Sequence, residues 1–182
     1  MNDKEIEDFV NAMPDEQVFN LLPVSQEFMG GVNRELGQSS FMDFVRTMWP
    51  GFIHGRHHAL MAKKFEEIAA GKVKRLIINM PPRHTKSEFA SYMLPAWFLG
   101  KFPNKKIIQC SNTAELAVGF GRKVRNLVDS DTYAKVFPNV ALRSDSKAAG
   151  RWSTSGNGEY FAIGVGGTVT GKGADLLIGE LT

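Results

Sequence analysis

A chain of 182 residues, 43% hydrophobic and 23% charged, is long enough to bury the core of one α/β domain and too apolar to be intrinsically disordered. A formal net charge of +3 and a pI near 9.0 permit a nucleic-acid partner without demanding one. The lone cysteine, Cys110, excludes an internal disulfide framework, and neither a secretory leader pattern nor an apolar stretch of spanning length occurs; the expectation is a soluble cytoplasmic protein with no membrane partner.

Taken in chain order, Ile6, Phe9, Val10 and Met13 recur at helical spacing and Pro14-Asp15-Glu16 opens a second short helix. Residues 1–38 are therefore expected to form an N-terminal helical arm, its pattern broken at Gly30-Gly31. Phe41, Phe44, Val45 and Met48 mark the next helical face, closed by Trp49-Pro50-Gly51. His54, His57 and His58 form a histidine cluster whose spacing would set two or three imidazoles on one helical face; against a zinc reading, no cysteine lies near and no HExxH pattern occurs. The next helix carries Leu60, Met61, Phe65 and Ile68 on its apolar side, Lys63 and Glu67 paired four apart on the other, and Gly71 as its stop.

Leu76-Ile77-Ile78 then predicts a strand, Met80 to Glu88 a loop, and the stretch from Phe89 a helix. A loop ending in Lys-Ser between strand and helix is suited to phosphate. The helix start offers unpaired N–H groups and partial positive charge, Lys86 adds a full charge for the β- and γ-phosphates, and the Ser87 hydroxyl is placed to ligand magnesium. The usual pattern G-x-x-x-x-G-K-[ST] has Met80 and Thr85 here where both glycines should stand.

Beyond the loop, Pro95 predicts a kink or an early helix end, and Phe102-Pro103-Asn104 a turn. Ile107 to Cys110 reads as a short buried strand, and Asn112-Thr113-Ala114-Glu115 as a capping box with Asn112 as the cap. The long helix after it buries Leu116, Ala117, Phe120, Val124, Leu127 and Val128, and Arg122, Lys123 and Arg125 form a basic flank that is either a phosphate contact or a solvated face. Asp131 caps a short helix through Val136, and Ser144 to Gly150 reads as exposed loop. Trp152 to Thr154 and Tyr160 to Ile163, flanking Gly156-Asn157-Gly158, predict a hairpin, which gives a mainly parallel sheet with an antiparallel addition. Gly166 to Gly173 fits G-x-x-x-x-G-K better than the Met80 stretch. Gly173, however, replaces the magnesium-binding hydroxyl, and Ala174 to Ile178 looks like a strand, so the segment reads as a turn between strands with Lys172 aimed at a phosphate.

Three segments in order, Ile77 to Glu88, Ala114 to Arg125 and Gly164 to Ile178, resemble the ATPase domain of the large terminase subunit of tailed bacteriophages over about residues 40–178. In that family the loop is a deviant Walker A of the form P-P-R-H-x-K-S, with x often Gly and here Thr85. The resemblance implies an α/β P-loop NTPase fold, RecA-like (ASCE), with a mainly parallel sheet flanked by helices. Residues 39–182 would be a partial ATPase domain lacking the C-terminal nuclease domain. It further implies ATP and Mg2+ as cofactors, bound by the loop Pro82, Arg83, His84, Thr85, Lys86, Ser87 and Glu88, with His57 on the adenine side. Arg83 would stabilise the γ-phosphate. Lys172 stands where some members reach a neighbouring subunit's ATP with an arginine, whose rigid fork a lysine lacks. Glu180 would take the first of two acidic places after the strand, for magnesium, while Leu181 in the second cannot act as a general base, so hydrolysis is expected to be impaired. The implied partners are double-stranded phage DNA, the portal protein and procapsid, the small terminase subunit and further copies in a ring. The implied place is the cytoplasm of the infected bacterial host and, transiently, the procapsid portal. A helicase-like ATPase stimulated by nucleic acid and a catalytically dead nucleotide- or DNA-binding module are the alternatives.

Overall fold

The computed structural model describes residues 27, 29–169 and 171–180, apart from the side chain of Lys147. The helices expected before residue 27 lie outside the described residues. Residues 29–39 are helical, so Gly30-Gly31 does not break the chain there as expected. This segment is tied to later parts of the chain: Arg34 Nε donates to Lys135 O at 3.0 Å, Gln38 Nε2 to Val136 O at 2.6 Å, and Trp97 Nε1 to Gly37 O at 3.1 Å.

Helix α1, Phe41–Met48, is capped by Ser40, whose side chain accepts from Asp43 N, and Trp49 N closes it on Val45 O. Its Phe41 is fully buried and meets Phe65, Phe89 and Trp97 edge-on, with centroids 5.2–5.7 Å apart, the geometry ring quadrupoles favour. Helix α2, Arg56–Ala69, buries His58, Met61, Ala62 and Phe65 and ends at Gly71, whose φ of 71° suits glycine. Two expectations for α2 fail: Leu60 is 69% exposed, and the ion pair with Glu67 comes from Lys64 at 2.6 Å, not from Lys63.

Residues 75–81, which include the expected strand Leu76-Ile77-Ile78, form no regular element. Leu76, Ile78 and Met80 pack on the core while Ile77 is 87% exposed, so the alternation of a strand is present without its ladder. The helical stretch beyond it starts at Lys86 and runs unbroken through Lys101, first as a π-helix, Glu88–Met93, then as α3, Leu94–Lys101. Pro95 does not end it. Pro95 has no N–H for the Ser91 carbonyl, and the Leu94 N–H bonds Phe89 O five residues back; the wide turn absorbs what an α-helix could not.

The remaining elements are β1 Lys106–Ser111, α4 Ala114–Val128, α5 Asp131–Val136, β2 Leu142–Ala148, β3 Arg151–Thr154, β4 Glu159–Gly164 and β5 Leu176–Glu180. The strands form one sheet in the order β2-β3-β4-β1-β5. β1 runs parallel to both β4 and β5, whereas β2–β3 and β3–β4 are antiparallel. This mixed sheet overturns the expected RecA-like, mainly parallel arrangement: half of its pairings are antiparallel, and no strand leads into the Lys86 loop. Both sides of β1 are taken by β4 and β5, which leaves Leu76 to Ile78 no place beside it. Residues 144–148, read as loop, belong to β2; an edge strand with solvated side chains has the polarity of a loop.

The caps also fall one residue from their expected places, on Thr113 rather than Asn112 for α4 and on Ser130 rather than Asp131 for α5. α4 lies across the sheet with Ala117, Phe120, Val124, Leu127 and Val128 buried, while Leu116 is 40% exposed. Under it Trp152 stacks on Tyr160 at 5.1 Å and donates through Nε1 to Gly121 O at 3.1 Å. The β3–β4 hairpin is as expected, with Asn157 in the left-handed region at φ 66°. No helix among the described residues is long and apolar enough to cross a membrane.

Candidate phosphate-binding site

Parallel strands β1, β4 and β5 end together, with Ser111 opposite both Gly164 and Glu180. Ligands of α/β sheets bind outside such carboxyl ends. The loop meets the sheet here: Ser87 Oγ donates to Glu180 Oε1, and Ser91 Oγ to Glu180 Oε2 at 3.1 Å. Ser91 also accepts from Gln109 Nε2 at 3.3 Å, so the contact reaches β1. The two serines lie four residues apart on one side of the π-turn and address both oxygens of one carboxylate.

Glu180 is 9% exposed, and among the described residues no basic side chain pairs with it. A carboxylate held out of water by two hydroxyls alone lacks the counter-charge that offsets its desolvation. Its oxygens, with the Ser87 hydroxyl, are the hard oxygen donors that Mg2+ takes together with phosphate and water. These residues thus fit a magnesium ion, and Ser87 and Glu180 would hold it. When bound, the ion supplies charge neutralisation for phosphate oxygens.

Around them the loop is tightly turned. Arg83 and Thr85 have φ of 64° and 58°, in the left-handed region that favours glycine, and Thr85 stands where the usual pattern has one. His84 Nδ1 lies 3.0 Å from Pro82 O, and Thr85 Oγ1 donates to His84 O at 2.6 Å. Phe89 N donates to Thr85 O, which leaves the N–H groups of Lys86 and Ser87 at the helix start without an intrahelical partner. Among the described residues, neither the Lys86 ammonium nor the Arg83 guanidinium forms a hydrogen bond or ion pair. Two uncommitted cations beside free N–H groups have the chemistry that an anion site requires. Glu88 is committed instead to Lys123 of α4, at 2.8 Å. Lys123 also lines a groove of about 430 Å³ with Thr113, Glu115, Leu116, Gly119 and Phe120 of α4 and its cap, and no loop residue lines it. A smaller cavity of about 260 Å³, lined by Gln38, Lys101 and Phe137 among others, includes no loop residue.

The other expected site residues fall in two places. The His57 ring lies 3.8 Å from that of His58, tilted by 47°, and 6.1 Å edge-on from that of His84, beside the loop, with its Nε2 buried and without a hydrogen-bond partner among the described residues. Lys172 lies 3.4 Å over the ring of Phe161 on β4 and contacts no loop residue among those described. Among the described residues no group of three His, Cys, Asp or Glu side chains is placed to hold a metal ion. His58 is committed instead, with Nδ1 accepting from Gly55 N at 2.9 Å and Nε2 2.6 Å from Thr85 Oγ1. Burial first, then the neighbouring His57 and His54, lowers its pKa to about 4. Sequence reasoning missed His58 as a loop contact, and it missed Ser91, whose only signal is its helical spacing from Ser87. No protein-family profile, curated protein or solved structure matches the chain.

Proposed function

We propose that the chain binds a magnesium nucleoside triphosphate, ATP by its resemblance to the terminase large subunit, at the loop 80–88. The observation that carries this reading is the contact of Ser87 with Glu180. Residues 93 apart, each expected from sequence to bind magnesium, meet at the carboxyl ends of the parallel strands. Lys86 neutralises the β- and γ-phosphates, Arg83 reaches the γ-phosphate, and the N–H groups at the helix start complete the cradle. Catalysis of phosphoryl transfer is positioning plus charge stabilisation, and these residues supply both for binding. Leu181 comes after Glu180 in the second acidic place, so turnover by the chain alone is expected to be slow. The motor role, drawing double-stranded DNA through a portal into a procapsid, rests on the order of the three resembling segments.

Replacing Lys86 and Lys172 separately tests the site. Lys86→Ala is expected to weaken binding of a fluorescent ATP analogue by at least about tenfold, the loss of one charge-assisted contact or more, while Lys172→Ala leaves it within about twofold. Loss confined to Lys172→Ala would move the cradle to Gly166–Gly173.

A further inference from the structure

We propose that His58 is a positioning residue of the phosphate loop, holding Thr85 in the left-handed conformation that a glycine at this place would adopt unaided. The inference rests on the reading of 80–88 as a phosphate cradle and adds to it a residue outside the loop, 27 positions earlier on α2. Thr85 is β-branched and sits at φ 58°, where L-residues are strained and persist only when their surroundings over-determine them. What over-determines Thr85 is a directed chain of hydrogen bonds. Gly55 N–H donates to His58 Nδ1 at 2.9 Å, so the neutral ring carries its proton on Nε2. Nε2–H donates to Thr85 Oγ1 at 2.6 Å, and Oγ1 donates in turn to His84 O at 2.6 Å. Each group in the chain has one role it can play, which fixes the Thr85 side chain and, through it, the backbone that presents Lys86.

His58 is itself immobilised. It is 5% exposed, stacked on Phe89 at 4.7 Å and 25°, and set edge-on to Phe52 at 4.8 Å. Phe89 closes the circuit by donating its N–H to Thr85 O at 3.0 Å, so the same turn is gripped from side chain and backbone. The titratable groups facing the ring are His57, 3.8 Å away, and His54, 6.3 Å away; among the described residues no Asp, Glu, Lys or Arg pairs with it. This surrounding keeps the ring neutral at pH 7, the state the hydrogen-bond chain requires.

The test is a double-mutant cycle. His58→Phe preserves the stack between Phe52 and Phe89 and removes both hydrogen bonds; Thr85→Gly removes the need for a prop. With magnesium and a non-hydrolysable ATP analogue, His58→Phe is expected to raise the dissociation constant about tenfold when residue 85 is Thr, and less than about twofold when it is Gly. Equal losses in both backgrounds would make His58 a packing residue only and overturn the inference, as would no loss in the Thr85 background. Nitrogen-15 NMR of the imidazole and the same cycle on urea unfolding give a readout free of nucleotide. If the wild-type chain fails to bind the analogue, the nucleotide reading falls. The prop then stands on an Nε2-protonated His58 with non-additive unfolding energies, and falls on the opposite tautomer or on additivity.

Discussion

Glu180 is the residue on which site and stability meet. A carboxylate that is 9% exposed and faced by two hydroxyls without a cation destabilises the chain until a cation arrives. Glu180→Gln keeps one acceptor oxygen, offers an NH2 donor that the other serine's hydroxyl oxygen can accept, and removes the charge, so it is expected to raise the unfolding free energy of the metal-free chain by about 1 kcal/mol in urea titrations. His58 makes stability depend on pH on the acid side. Its pKa is about 4 in the folded chain against an ordinary 6.5, so below pH 6.5 the unfolded chain takes up the proton first. Stability from this group is complete above pH 6.5 and declines as pH falls toward 4. The urea midpoint is expected to drop across that window, and to drop less in His58→Phe. Of these residues, Lys86 and Ser87 were legible as the Lys-Ser pair that ends the loop, and Glu180 only through the family resemblance, since Leu181 stands where its acidic neighbour would. The His58–Thr85 contact was not, since it joins two residues that no motif pairs.

At the scale of elements, the floor of the site depends on how closely β4 approaches α4. A Cβ on Gly164 would run into the backbone of Thr113 and Ala114, so only glycine lets the strand end abut the helix start. Gly164→Ala is expected to cost about 1–3 kcal/mol by forcing the two apart. Gly179→Ala on β5, where an added Cβ meets nothing within 4 Å, is expected to be neutral or to stabilise by up to about 1 kcal/mol. Paired urea denaturations of the two variants check this. Helices were the more readable elements, because the period of Phe41, Phe44 and Val45, or of Ala117, Val124 and Val128, survives folding unchanged. Strands were less so. Leu76-Ile77-Ile78 has strand composition without a free neighbour beside β1, and β2 has the polar composition of a loop while pairing with β3. Pairing is decided by partners far along the chain, which local pattern does not contain. The π-turn was hidden for a related reason: Pro95 announced a lost hydrogen bond, and packing of Phe89 and Met93 in the core determined that the helix widened instead of stopping.

For the molecule as a whole, the mixed sheet divides the labour. Its parallel part, β4-β1-β5, brings Ser111, Gly164 and Glu180 to one end, where Ser87 of the loop meets Glu180 and the start of α4 abuts Gly164, while antiparallel β3 and β2 extend the sheet sideways beyond β4, with Trp152 of β3 bonded to Gly121 of α4. The site therefore obeys the general rule for strand carboxyl ends without the strand that usually delivers a phosphate loop. What unites the chain from α2 to β5 is the chain of contacts from Gly55 through His58, Thr85, Ser87 and Glu180, and its purpose in this account is to hold a metal-bound triphosphate. The most direct measurement is calorimetric titration of the wild-type chain and Glu180→Gln with a non-hydrolysable ATP analogue, with and without Mg2+. The account predicts saturable binding that magnesium strengthens at least about tenfold in the wild type and leaves unchanged in Glu180→Gln. Absence of binding, or a magnesium effect of equal size in both proteins, would contradict it.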